Sequence, residues 1–299
     1  MSTFSGIDLS LLTPPDVVEP LDYEVILRDI VTLAQSIHPE FDALLDSDPA
    51  YKLMQVLAYR ELNQRQRINE ACRAVMLAYA QGADLDQIGA NYDVPRLVIS
   101  EGNPNAVPPI PRVLESDDEY RRRIQLSPEG FTTAGSEGSY VFHGLRAHPD
   151  VKDIQATSPQ PGHVVVYVLS RTGTGTASEQ LLASVANALN GENIRPMTDV
   201  VQTLSASIVN YTVEAELEVY PGPDPDVILQ AAIVAITNYT EQQRRLGFDV
   251  TLSGVYAALH QPGVKSVNLS APLASLSIGD GESSYCTSIS VSLTVSDDA

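Results

Sequence analysis

The stretch Glu115–His143, ESDDEYRRRIQLSPEGFTTAGSEGSYVFH, decides how this chain is read. Ser116 and Glu119 make an S-x-x-E capping box, and Tyr120 and Ile124 share a helical face at i, i+4. A helix is therefore predicted from Ser116 onward. Pro128 stops it, because the residue before a proline is pushed out of the α region. A Gly-rich loop, Pro128–Ser139, then feeds a second helix. Arg121, Arg122 and Arg123 face several directions on the first helix. They admit two readings: a docking point for a carboxylate-bearing partner, or a solvated face paired with Asp117 and Asp118.

N-terminal to this stretch the pattern is helical. Ile26, Ile30, Leu33 and Ile37 fall on one apolar stripe, so a helix is expected over Asp22–Ile37, ended by His38-Pro39. Asp48-Pro49 then supplies an N-cap and a proline at the first helical position. The helix it opens is expected to run about 30 residues, ~45 Å, to a stop at Gly82. Its apolar residues gather at the ends, with Leu53, Val56 and Leu57 first and Ala71, Cys72, Val75 and Tyr79 last. Between them lies YRELNQRQRINE, where Leu62 and Ile68 are the large aliphatics. Such a helix suits contact with other chains, or the surface of a compact domain. A short helix with Leu85, Ile88 and Tyr92 on one side follows from Asp84. Residues 96–114, containing Pro104, Pro108, Pro109 and Pro111, read as an extended, semi-rigid linker.

Beyond the loop the rhythm becomes α+β. Ser139–Leu145 followed by Pro149–Ile154, and Ser253–Leu259 followed by Pro262–Val267, form an internal repeat of helix, proline-marked turn and strand. Further strands are expected at His163–Leu169 and Thr287–Val295. Val213, Ala215, Leu217 and Val219 alternate with Glu214, Glu216 and Glu218, which means one buried and one wet face. The glutamate row is a solvated face, or an edge or face that avoids wrong strand pairing or that meets an Arg-rich partner. Helices over Ser178–Asn190 and Pro225–Gln242 complete sheets with helices on one face. The expected fold class is α+β: an N-terminal long-helix region (1–95), the linker (96–114), a first lobe with the capped helix (115–205) and a second lobe (206–299), with antiparallel or mixed sheets.

Composition bounds function. The 299 residues carry 38 Asp and Glu against 18 Lys and Arg, a formal net charge of −20. Residues 1–129 hold 11 Lys/Arg against 21 Asp/Glu, and residues 130–299 hold 7 against 17, so each half nets −10. An acidic surface of this kind repels phosphates and anionic lipid, which argues against nucleic-acid or membrane work. The N-terminus lacks a basic region of the kind a secretory signal needs. Cys72 and Cys286 have no paired spacing and read as reduced thiols. His38, His143, His148, His163 and His260 show no helical metal spacing. The loop Arg171–Ala177, RTGTGTA, lacks the third glycine and the lysine of a phosphate cradle. No catalytic, metal or cofactor residues are assigned.

Three pieces in order, GADLDQIGANYDVPR at Gly82–Arg96, the opening stretch, and RPMTD at Arg195–Asp199, closely resemble the baseplate J-like family of contractile phage tails and phage-tail-like bacteriocins. The resemblance implies a structural wedge subunit in which two copies join one partner wedge protein, six such units closing a ring around the hub. It implies a sheath-initiator protein and tail fibre proteins as outer neighbours, and assembly in the host cytoplasm before residence in the particle. On that analogy Asp22–Tyr92 enters a core bundle and residues 206–299 join copy to copy. The candidate interface residues are then Leu53, Val56, Leu57, Arg60, Arg65 and Arg67, the cluster Arg121, Arg122 and Arg123, and Glu214, Glu216 and Glu218. A receptor-binding module and a cell-wall hydrolase are the rival readings.

Overall fold

The structure, a computed structural model, describes residues 7–9, 12–13, 15, 19–41, 45–132, 135–222 and 224–296. Most of the N-terminal stretch, and Thr133 and Ala134 of the Gly-rich loop, lie outside them. Among the described residues the chain forms eight α-helices and eight strands in mixed sheets, an α+β fold. It divides into two compact units, residues 7–96 with 115–124, and residues 97–114 with 125 onward.

The first unit is helical. α1 (Tyr23–Ile37) starts where Asp22 Oδ1 accepts from the Glu24 and Val25 amides at 3.0 and 3.1 Å. α2 (Pro49–Ala74) starts on Asp48 with Pro49 in its first turn. The two helices lie antiparallel, with Ile26 and Leu27 of α1 packed on Met54 and Ala58 of α2. At the far end Asn69 clasps the Glu19 backbone, donating to its carbonyl and accepting from its amide, both at 2.8 Å. The inward face of α1 is Ile26, Leu27, Ile30, Val31 and Ala34, so Leu33 and Ile37 of the expected stripe remain exposed. α2 has 26 residues, about 39 Å at ~1.5 Å each, and stops at Ala74 rather than Gly82. Gly82, with φ +51°, opens α3 (Gly82–Asn91) instead.

α4 (Asp117–Leu126) belongs by its packing with these helices, whereas the sequence grouped it with the first α+β lobe. The reason is Tyr120. Its buried ring fits the space left by Gly89, where a Cβ would lie 1.9 Å from the phenol oxygen, and it donates to the Val94 carbonyl at 2.6 Å. Residues 97–114 are not an extended spacer. β1 (Val98–Ser100) pairs antiparallel with β2 (Val113–Leu114), and Asn103 and Ile110 exchange backbone hydrogen bonds at 2.8 and 2.9 Å. Gly102 permits the reversal: its φ is +68° and the Ile110 carbonyl sits 2.4 Å from where a Cβ would be. The prolines fill the tip of a ribbon whose ends return together.

The second unit carries two three-stranded sheets. α5 (Glu137–Ala147) leads to β3 (Val151–Gln160) and β4 (His163–Ser170), which pair antiparallel. α6 (Glu179–Leu189) crosses to β5 (Val200–Ser205), parallel to β4. In the other sheet β6 (Ser207–Val219) is central, antiparallel to β7 (Val264–Ala271) and parallel to β8 (Glu282–Val295). α7 (Pro225–Gln243) and α8 (Leu252–Leu259) cover one face, burying Val213, Leu217 and Val219 against Ala232, Ile236, Val255 and Leu259. Each sheet thus has a central strand with one antiparallel and one parallel neighbour. The internal repeat survives as local segments, but β3 touches β4 directly whereas β6 separates β7 from β8.

The two sheets share a polar and apolar seam. Gln155 of β3, 1% exposed, accepts from the Gly281 amide at 2.7 Å and donates to Asp280 at 2.9 Å. Asp153 accepts from the Leu246 amide at 3.0 Å, and Leu246 packs with Leu169 and Ala206. Lys152 pairs with Glu241 at 2.6 Å.

Candidate assembly surfaces

α2 presents the most unusual surface. At about 100° per residue, Leu53, Val56, Leu57, Arg60, Gln64, Arg67 and Ala71 fall within one arc of roughly 100°, opposite Met54 and Ala58, which face α1. Leu53, Val56 and Leu57 are 66%, 57% and 56% exposed. The structure therefore gathers five of the six candidate residues on this helix to one solvent-facing side. Arg65 is the exception: it lies on the α1 side and pairs with Glu61 at 2.5 Å and Glu19 at 3.2 Å.

The arginine cluster on α4 is not a docking point of three guanidinium groups. Arg123 is buried, pairing with both oxygens of buried Glu115 at 2.7 and 2.6 Å and donating to the Pro95 carbonyl at 2.8 Å. Arg121 donates to the Leu77 and Ala80 carbonyls at 2.7 and 2.8 Å and pairs with exposed Asp118 at 2.7 Å. Both side chains serve the fold: Arg121 supplies donors to carbonyls left open in the chain between α2 and α3, and Arg123 pairs the buried Glu115 carboxylate and caps the Pro95 carbonyl beyond α3. Arg122 is half-buried and also has a partner.

Arg96 completes the arrangement. It pairs with Asp86 and Asp117 at 2.7 Å each, donates to the Glu115 carbonyl at 2.8 Å, and lies 4.6 Å over the Tyr120 ring. Burial pushes the Asp117 carboxyl up, but the Gly82 amide and the Arg96 guanidinium outweigh it and hold the group below its usual value.

The second pair of segments singled out in the sequence meets in the other unit. Tyr140 of α5 donates to Asp199 Oδ2 at 2.8 Å, and Arg195 donates to the Asp199 carbonyl at 2.8 Å. Gly135, φ +70°, lies so close to Pro196 that a Cβ would sit 2.6 Å from its ring. Burial, then the neighbouring Asp199 carboxylate, pushes the Tyr140 phenol well above its usual value, which keeps it a donor. We expect Tyr140→Phe to cost about 1.5–3 kcal/mol, the range for a hydrogen bond to a charged acceptor. Chemical denaturation of the purified variant measures this, and an unchanged midpoint would show the bond to be idle.

The glutamate row lies on the open face of the second sheet. Because β6 is central, the row sits on a face and not at an edge, which corrects the edge half of that reading. Glu218 is committed: Lys265 at 2.9 Å, then Ser266 at 2.9 Å, hold its carboxyl below the usual range. Glu216 accepts from Thr294, and Glu214 is exposed in register with Ser290. The face is paved with Ser266, Asn268, Ser290, Ser292 and Thr294 beside these carboxylates.

A shallow cleft bounded by Gly135, Glu137, Tyr140, Gln155, Thr157 and Asp280 indents the same unit. Its Tyr140 and Gln155 groups are already bonded, to Asp199 and to Asp280 and Gly281. Among the described residues no group of three or more His, Cys, Asp or Glu side chains is placed to hold a metal ion, and no helix is long and apolar enough to cross a membrane. The loop Arg171–Ala177 folds on itself, with the Gly173 carbonyl accepting from Arg244 at 2.8 Å.

The segments singled out in the sequence are thus structural locks, Gly82–Arg96 against α4 and the Gly-rich loop against Arg195–Asp199. Comparison with known proteins matches the same regions. The Baseplate J-like N-terminal domain family matches residues 46–103, and the Baseplate J-like central domain family matches residues 132–205. Baseplate protein J of Escherichia phage P2 is 49% identical over 288 residues, covering 94% of this chain and 95% of that protein. The chain belongs to the baseplate J-like family. It is a structural subunit of a baseplate. A chain in the cryo-EM structure of the anti-feeding prophage baseplate is also similar. It is 16% identical with a TM-score of 0.37, over 62% of this chain and 44% of that one. Within the family frame, the N-terminal match takes in α2, α3 and β1, and the central match ends at Ser205, the last residue of β5.

Proposed function

We propose that the chain is a wedge subunit, two copies joining one partner wedge protein, and that six such units close a ring around the hub. The ring couples spike release to sheath contraction, with a sheath-initiator protein and tail fibres as outer neighbours. Assembly takes place in the host cytoplasm and the product stays in the baseplate. The observation that carries this reading is the outward face of α2 in a chain of baseplate J-like descent. Leu53, Val56 and Leu57 lie side by side in solvent, and monomeric proteins rarely leave such contiguous apolar surface without a partner. The seam between the two sheets supports a role as one stiff element, which suits transmission of a displacement. No catalytic role is assigned to the chain.

The test is affinity capture of tagged protein from particle-producing cells, with native mass spectrometry of the product. A complex of two copies with one partner, or six-fold multiples of it, is expected. A monomer or a homotrimer would overturn the reading and favour a receptor-binding module.

A further inference from the structure

We infer that the outward face of α2 recognises one particular kind of partner: a helix from a different chain, apolar toward its two ends and carrying carboxylates at its centre. The inference rests on the wedge reading above and names the occupant of that surface. Three observations carry it.

The first is spacing. Leu53, Val56, Arg60, Gln64, Arg67, Ala71 and Ala74 recur at intervals of three and four residues along the outward arc. That is the spacing of a seam at which two helices pack side by side. Leucine and valine begin the seam and alanines close it, so close packing is available toward both ends. Its middle turns are Arg60, Gln64 and Arg67.

The second is the state of the cations. Among the described residues, the Lys and Arg side chains with no carboxylate, carbonyl or ring partner are Lys52, Arg60, Arg67 and Arg73, all on α2. Elsewhere in this chain of net charge −20 the positive side chains are engaged. No carboxylate falls within the outward arc itself; Glu61 and Glu70 flank it on either side. Two guanidinium groups left unpaired in the middle of an otherwise packable seam call for negative charge opposite them.

The third is that a second copy of α2 fits badly. Parallel pairing sets Arg60 against Arg60 and Arg67 against Arg67. Antiparallel pairing about the helix centre brings the two Arg60 groups within ~4.5 Å along the axis, with no carboxylate in either arc. Polar and charged residues at seam positions set register and partner choice at some cost in stability, and like charges facing each other exclude the wrong pairing. The arginine pair therefore does two things: it repels self-association of this face and positions a partner whose carboxylates meet it.

The test uses the full chain and two synthetic 26-residue amphipathic helical peptides. Both carry leucines on one face in their end turns; one has two glutamates and the other two lysines at the central positions of that face. Fluorescence anisotropy in low salt should show the glutamate peptide binding at least about tenfold tighter, the effect of one good charge contact against one repulsive contact. The gap should close as salt is raised. In the R60E/R67E variant the preference should reverse. Equal binding of both peptides, binding of neither, or a dimer of the full chain that the R60E/R67E exchange breaks would each overturn the inference. The wedge reading fails separately, when wild-type protein captures no partner in the native mass spectrum; a wedge that assembles normally with R60E/R67E would sink this inference and leave that reading standing.

Discussion

Replacing Leu53 and Val56 together by aspartate should abolish wedge assembly while leaving the protein folded. Both side chains are more than half exposed, so the free chain loses little packing, and surface changes of this kind are usually within about 0.5 kcal/mol. An aspartate at position 56 even stands four residues before Arg60, a spacing that favours an ion pair on a helix. In an assembled bundle the same two carboxylates would be taken out of water among apolar groups, at a penalty of several kcal/mol per ion. That asymmetry makes the experiment informative. The variant should give the wild-type circular dichroism spectrum and denaturation midpoint, yet no complex in the native mass spectrum. A complex of normal stoichiometry would place the partner elsewhere and return α2 to the status of an ordinary surface helix.

What the sequence could and could not disclose follows from the range of each interaction. Alternation in β6 and the Asp-Pro openings of α2 and α7 are local signals, and the structure carries them as read. The end of α2 has no local signal. Ala74 is followed by neither Pro nor Gly, and the carbonyls of Leu77 and Ala80 are satisfied by Arg121, more than forty residues away. Nothing in residues 49–82 could announce that donor, so the helix looked longer than it is.

The proline-rich segment misled for a related reason. Composition says that Pro104 to Pro111 is stiff, but the exchange between Asn103 and Ile110 and the tight approach at Gly102 decide that it doubles back. The arginine run was legible as a cluster and illegible as to purpose, since Arg123 owes its burial to Glu115, Pro95 and the Tyr120 ring. A buried glutamate before a capping box carries no mark in its own sequence. The outward arc of α2 became legible only when α1 showed which side of the helix was taken. Apolar residues on either side of a helix look alike until one side is buried.

Arg123→Met should be the most destabilising single change in the helical unit. The Arg123 and Glu115 side chains are 4% and 1% exposed, so removing the guanidinium strands a carboxylate away from water. Breaking a buried pair in this way typically costs about 3–5 kcal/mol. The pair itself does not contribute that amount, because desolvation of both ions offsets most of their attraction. The double variant E115L/R123M, which removes both charges and returns apolar volume, should therefore recover much of the loss. Urea unfolding of the wild type, each single variant and the double variant closes the cycle. Coupling of roughly 2 kcal/mol or more is expected for two side chains in one buried network. Additive losses would mean that the pair is held apart from the rest of the core, and that Tyr120 in the space beside Gly89 fastens α4 to α3 without it. Strong coupling would mean that the lock between Gly82–Arg96 and α4 works as one element, with Arg96 on one side of the Tyr120 ring and Arg123 near it. The acid response separates the same two cases. Asp117 is held below its usual value, so its contribution is present above the carboxylate range and is lost as pH falls through it. A lock acting as one element would loosen together with that titration.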